Sequence, residues 1–297
     1  MNHITLTLVV VVVSLTGLFG QNYAYQTFKD RRVINTQSVE TLPARTMDIR
    51  IAHRFGDFAG RNGGEPTFFG LEFAEDVAIG AEYGITDNLM VGFHRSKGAG
   101  VVPNGPSGLR QLWTLNGKYR VLRQTDLVPI TITLSGMTTF SSAQQVEVQP
   151  DDAPSIIQNF PEFGHRFAHN VQLLIARKFS PAFSLQIIPS YTHRNLVAFN
   201  DENGIFSMGV ATRVQISKVF GIVADATFPF SDFRTSDNNF YPAIGIGLEM
   251  ETGGHVFQVN FTNATAIMET DYIPYTTSNW LEGQYRLGFT ISRQFRL

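Results

Sequence analysis

From residue 45 to residue 297 the chain repeats one pattern: stretches with an apolar residue at every second position, joined by connections that are alternately long and short. Few folds satisfy both regularities. Side chains along a strand point to opposite faces in turn, so period two means one apolar face and one polar face. A soluble sandwich can bury the apolar face but has no reason to sort its connections by length. A closed up-and-down barrel in a bilayer requires both, with lipid against the outward side chains, short turns at one end and longer loops at the other.

Twelve such stretches can be marked. The first sets Met47, Ile49, Ile51 and Phe55 against Asp48, Arg50 and Arg54, and the fourth sets Trp113, Leu115, Tyr119 and Val121 against Asn116, Lys118 and Arg120. The fifth runs through Val128, Ile130, Ile132, Leu134 and Phe140, with Thr131, Thr133, Ser135 and Thr139 opposite. The last carries Tyr285, Leu287, Phe289, Ile291 and Phe295. Residues 56–75, 96–110, 141–164, 195–204, 229–240 and 263–280 make the long connections; 84–88, 124–126, 180–182, 217–219 and 251–254 make the short ones and are rich in turn formers. The expected fold is therefore all-β: a transmembrane up-and-down antiparallel β-barrel of about 12 strands over residues 45–297. Both chain ends lie on the periplasmic side and every long loop lies outside.

Composition agrees. Only 16% of residues are charged, 12% are aromatic, and there are 26 Gly, a bias toward strands and turns. A formal charge of −2 gives no electrostatic reason to expect nucleic acid as a partner. The absence of Cys excludes a disulfide framework, a thiolate metal site and lipid attachment through an N-terminal Cys. The apolar run Ile4–Phe19 is too short for a comfortable membrane helix and suits a secretory signal over residues 1–20, although Met1-Asn2-His3 has no Lys or Arg. Cleavage falls after Gly20 or after Ala24. Residues 21–44 then precede the first strand, with two short alternating runs around Val33 and Val39; they either fold into the lumen as a plug or lie in the periplasm and bind a partner.

The final strand, Tyr285 to Leu297, resembles the C-terminal assembly signal of outer-membrane proteins, which implies contact with barrel-assembly machinery and outer-membrane lipid. It departs from that pattern in ending on Leu297, and Phe295 can stand in for the usual terminal aromatic. Tyr25-Gln-Thr-Phe-Lys-Asp30, Val33 to Pro43, His53-Arg-Phe-Gly-Asp-Phe58 and Tyr83 to Leu89 together resemble the bacterial β-barrel family known as domain of unknown function 5777. The resemblance implies a barrel in a Gram-negative outer membrane of the Bacteroidota type. It implies no activity and no site residues.

Candidate function rests on the inward phase. Asp48, Arg50, Arg54, Glu82, Lys118, Arg120, Arg213, Asp225, Glu249 and Arg286, with Lys178 and Arg194, would line a lumen in which basic groups outnumber acidic ones by eight to four. The expected role is a narrow pore for small polar or anionic solutes, because lumen charges tune selectivity. A structural ion-pair network filling the interior is the plainer alternative for these charges. A non-conducting barrel that docks a periplasmic partner is a second reading of the chain. A lipid hydrolase is third: His94-Arg-Ser96 has the His-x-Ser spacing of outer-membrane phospholipase, but in that family nucleophile and base face lipid, whereas His94 has the inward phase. The loop at residues 56–70 either folds inward to constrict the pore or caps the barrel, and capping is the expectation because it is the ordinary case. His169 and His193 fall opposite each other on the outward face if the turn is Ser180–Ala182, as girdle residues or a weak metal pair. No cofactor motif is present.

Overall fold

The computed structural model describes residues 26–98, 111–144, 160–198 and 200–297. The expected signal segment, with its cleavage positions Gly20 and Ala24, lies outside the described residues, as do most of the second and third long loops. Twelve strands are present: β1 (Thr46–Phe55), β2 (Ala74–Gly84), β3 (Leu89–Gly98), β4 (Leu112–Leu122), β5 (Thr131–Ser141), β6 (Phe167–Ser180), β7 (Phe183–Arg194), β8 (Gly204–Gln215), β9 (Phe220–Phe230), β10 (Ala243–Thr252), β11 (His255–Thr262) and β12 (Arg286–Arg296). Each pairs antiparallel with its sequence neighbours, and β1 pairs with β12 (Ile51 opposite Ile291) to close the barrel. Closure removes both sheet edges, so the wall leaves no row of backbone groups unpaired. No helix among the described residues is long and apolar enough to cross a membrane.

The alternation expected from the sequence sets the faces. Outward side chains such as Leu115, Phe206, Val171 and Ile79 are exposed, while their neighbours Thr114, Ser207, Asn170 and Ala78 are buried. Aromatic pairs on the outer surface, including Phe93 stacked on Trp113 and Tyr191 against Phe206, have ring centroids 5.4 and 4.8 Å apart. At the β10–β11 turn Gly253 and Gly254 both adopt positive φ (52° and 90°), the conformation of a two-residue hairpin compatible with strand twist.

One boundary differs from expectation. Val128 and Ile130 do not belong to β5, which begins at Thr131. Pro129 has no N–H to give to a ladder, and Thr125 N instead donates to Val128 O in a local turn. The loop at residues 56–73 lies at the long-loop end, its residues mostly exposed or half-buried, with Phe58 packed against Phe261 and Tyr285.

The larger difference is inside. Residues 27–42 are almost continuously buried, and so are residues 262–276, expected as part of an outer loop. The first segment enters the lumen from the short-turn end and reverses in a small hairpin, with Arg32 bridged to Gln37 and Val33 N donating to Thr36 O. Its Phe28, Val33, Ile34 and Val39 pack against the inward Leu174, Ile188 and Val223. The second, between β11 and β12, descends from the long-loop end and carries the short helix α1 (Glu269–Tyr275). It buries Ala264, Ala266, Tyr272 and Ile273 against Ala243. About half of the buried apolar residues are therefore on chain that is not strand.

Candidate functional site

The polar lumen is the functional candidate, and its geometry follows from the inward phase of the strands. Asp48 and Arg50 on β1 and Glu82 on β2 converge on the N-terminal segment. The Arg31 guanidinium forms an ion pair with Asp48 Oδ2 at 2.6 Å and donates to Glu82 Oε2 at 3.2 Å and to Ser292 Oγ at 3.0 Å. Asp30 in turn accepts from Arg50 Nη1 at 2.8 Å and also from Nη2. These charges are buried, so each must have a partner or be wetted. Burial works against the charge on Asp30, but the guanidinium of Arg50, joined by that of Arg31, outweighs it and holds the carboxyl below its usual range.

Two further wall residues grip the segment through its backbone. Lys118 Nζ donates to the carbonyls of Arg31 (2.8 Å) and Ser38 (3.0 Å). Asp225 Oδ2 accepts from the N–H groups of Ile34 (3.1 Å), Asn35 (2.6 Å) and Thr36 (2.8 Å), and its Oδ1 accepts from Asn35 Nδ2 at 2.8 Å. Three consecutive N–H groups thus point at one carboxylate, an anion-binding nest at the hairpin tip. Gly245 beside it has no Cβ; one placed there would come within 2.8 Å of both Asp225 Oδ1 and Ile34 Cγ2. Gln186 adds a side-chain amide that accepts from Val39 N and donates to Gln37 O.

Nearer the short-turn end, Glu40 Oε1 accepts from Thr27 N (2.8 Å) and Phe28 N (3.1 Å), and Arg120 Nη1 lies 3.9 Å from its Oε2. Burial pushes the Glu40 carboxyl up despite these contacts. Lys178 donates to Gln26 O at 3.0 Å. Arg213 and Glu249 pair with each other at 2.7 Å, wall to wall.

The long-loop end is tied differently. Arg54 donates to Ala264 O (3.1 Å), to Ala266 O and to Asn35 Oδ1 (2.7 Å), touching both inward segments. Arg32 pairs with Glu269 at 2.9 Å and donates to Ile267 O at 2.9 Å, so the segments also touch each other. Asp201 is bridged by Arg194 at 2.9 Å and Arg234 at 2.6 Å; these same arginines reach Tyr275 Oη (2.8 Å) and Pro274 O (2.9 Å) of α1. Arg286 donates to Asn263 O (2.6 Å) and Ser278 Oγ (3.1 Å).

All ten residues expected to line the lumen point inward and are buried. The two segments bring in Asp30, Glu40, Glu269 and Asp271 but also Lys29, Arg31 and Arg32, so they lower the positive surplus read from the wall only slightly and pair its charges one by one. Sequence reasoning missed these residues, together with Asp201 and Arg234. One signal was present: Ala264 to Tyr275 is too apolar for a solvated loop.

His94 and Ser96 face the lumen and are buried, with His94 Nε2 3.5 Å from Glu82 Oε1, so the pair does not meet lipid. His169 lies directly opposite His193, though not by the expected turn: Ser180 pairs with Phe183, and a register shift between Lys178 and Ser180 brings the two histidines into line; His169 Nδ1 shares a 3.1 Å hydrogen bond with Thr138 Oγ1. Among the described residues no group of three or more His, Cys, Asp or Glu could hold a metal.

Residues 28–295 match the family model described as membrane bound beta barrel domain (DUF5777). Among solved structures, the NanC porin is 8% identical, with 84% of this chain and 100% of that one covered and a TM-score of 0.48. The KdgM porin, in complex with disordered oligogalacturonate, is 6% identical over 85% of this chain and 99% of that one, with a TM-score of 0.47. An outer membrane channel from Pseudomonas putida F1 is 14% identical over 86% and 98%, with a TM-score of 0.45. No curated protein matches. The chain belongs to the family of membrane bound beta barrel domains, DUF5777.

Proposed function

We propose that this member of the DUF5777 family is a pore for small polar or anionic solutes in the outer membrane of a Gram-negative bacterium, closed in the state described by its two inward segments. One observation carries the reading: what fills the lumen is not fused wall side chains but loop and N-terminal chain held largely through polar contacts. Asp225, Lys118, Gln186 and Arg54 hold backbone amides and carbonyls, which water can satisfy equally well once a segment leaves. The wall left behind would be mainly a hydrated surface of Arg, Lys, Asp, Glu, Ser, Thr and Asn, interrupted by the apolar patch of Leu174, Ile188 and Val223 that the hairpin covers. Twelve strands give a bore between the side-chain-filled eight-stranded barrel and the open sixteen-stranded one. Outer-membrane lipid and the barrel-assembly machinery are the partners that the terminal strand implies.

The filled lumen also favours a second reading, a non-conducting barrel whose N-terminal segment docks a periplasmic partner. Planar-bilayer recordings separate the two. Four proteins are compared: the full chain, one lacking residues 21–44, one with residues 263–276 replaced by a short loop, and one with both changes. The pore reading expects closed or brief events from the full chain and steady conductance once both segments are gone. Silence from the doubly altered barrel, with folding confirmed by heat-modifiable gel mobility, sinks the pore and leaves the docking barrel.

A further inference from the structure

The loop at residues 56–73 and the chain after α1 enclose a cavity of about 700 Å³ at the long-loop end, lined in part by Arg61, Phe73, Glu75, Thr277, Ser278 and Arg286. We propose that this cavity captures small zwitterionic solutes, amino acids or short peptides, and that their binding loosens the strap that fills the outer half of the lumen. The capture half stands on the cavity alone; the loosening half rests on the pore reading.

Arg286 carries the argument. It is 3% exposed yet lines the cavity, and its Nε–H has no hydrogen-bond partner. A buried guanidinium with a donor unmet favours an incoming carboxylate, which a guanidinium takes bidentately through Nε and Nη2. The hydroxyl of Thr277 supplies a further donor. Of the two acidic residues in the lining, Asp57 is occupied, its carboxylate accepting from the N–H groups of Gly60 and Asn62. Glu75 is half-buried and makes no ion pair within 4.0 Å among the described residues; its charge already acts on Arg286, and a carboxylate arriving at that guanidinium leaves Glu75 to an ammonium group. A guanidinium and a carboxylate in one cavity, with the Phe73 ring as an apolar wall, match a solute that bears both charges. A purely anionic solute would meet Glu75 with nothing to offer it.

The same guanidinium holds the strap. Arg286 Nη1 donates to Asn263 O and Nη2 to Ser278 Oγ, and Asn263 Nδ2 donates to Ser278 O at 2.8 Å. Residues 263 and 278 are the two ends of the inward strap, so Arg286 clasps its neck. Nη2 carries two N–H groups, so a carboxylate on Nε and Nη2 need not expel Ser278 Oγ outright, but it pulls the guanidinium toward the cavity and away from Asn263 O and Ser278 Oγ. A ligand that prefers the loosened neck shifts the population toward it.

The test is calorimetric titration of the refolded full chain with glycylglycine, N-acetylglycylglycine and glycylglycine amide. The expected order is glycylglycine tightest, with either blocked form at least about tenfold weaker, the scale for losing a charge-assisted contact. Glu75→Gln should erase the preference for glycylglycine over its N-acetyl form. Ser278→Ala should tighten binding severalfold by removing one hold on the guanidinium, which a merely structural Arg286 would not do. Equal affinity for all three peptides, or no binding by protein whose barrel is confirmed, overturns the capture site. If glycylglycine binds but does not raise the open probability of the full chain, while the doubly altered barrel conducts, the loosening half falls and the pore stands.

Discussion

The two segments that occupy the lumen reach it by opposite routes and are held by opposite means. The N-terminal segment joins the wall at β1, on the short-turn side, and its charged Asp30, Arg31 and Glu40 find partners on the strands. The strap joins the wall at both ends, through β11 and β12, and carries mainly Ala, Ile, Met, Tyr and Pro; its grip comes from arginines that reach down to it. A segment fixed at one end can withdraw along the barrel axis, whereas one fixed at both ends can only lift about its neck. On the pore reading the first would act as a piston and the second as a lid, and the lesson is that the wall charges cannot all be paired without the two segments that enter between them.

The largest effects should come from the carboxylate that anchors each segment. Asp225→Ala leaves three N–H groups of the hairpin tip without an acceptor, which should shift the N-terminal segment toward release by on the order of 3 kcal/mol, about a hundredfold in population. Asp201→Ala strips the counter-charge from Arg194 and Arg234, both buried, and should loosen α1 to a similar degree. Protease cleavage should then appear within residues 26–44 for the first variant and within residues 263–278 for the second. Cleavage at both sites in either variant would break the comparison, because the segments would then move as one.

A middle-sized effect tests their contact. Arg32 is the residue of the N-terminal segment that reaches Glu269 and Ile267 O in the strap. In a double-mutant cycle of Arg32→Ala with Asp201→Ala, followed by thermal unfolding and by the two cleavage rates, a coupling of about 1–2 kcal/mol is expected for groups in one network. A coupling within about 0.5 kcal/mol of zero would mean that piston and lid are independent.

The smallest effect is in pH. Burial pushes Glu40 above its ordinary value of 4.5, and it pushes Asp271 in the strap well above 3.8, with the nearby Asp76 adding to the rise. A carboxyl with a raised value in the closed state binds its proton more tightly there. Its contribution is therefore complete below the ordinary value and is lost as pH rises through the raised one. Closure should weaken as pH rises above about 4.5, with Glu40→Gln flattening the response of the N-terminal segment and Asp271→Asn that of the strap. Asp30 and Asp201 are both held below 3.8, burial being outweighed by their arginines, so they act in the other sense only below that pH. An Asp271→Asn strap that still opens with rising pH would remove Asp271 as the cause.

The sequence alone determined the wall. Period two assigns a face to every strand residue from Thr46 onward, a one-residue slip would put Asp48 or Arg120 into lipid, and the sorting of loop lengths sets the order of strands around the barrel. Pro129 could have been read as the reason β5 starts at Thr131. Only the tertiary structure decided what lies inside. Asp225 was legible as an inward carboxylate, but its partners are three backbone N–H groups almost two hundred residues away, and backbone groups carry no signal in a sequence. Arg31 meets Asp48, Glu82 and Ser292 together only because barrel closure brings β12 beside β1, while Arg286 meets both ends of the strap because β11 and β12 pair as neighbours. Periodicity is a local property and survives in the sequence; the filling of a lumen depends on which distant charges share an enclosed space, and that exists only once the barrel is shut.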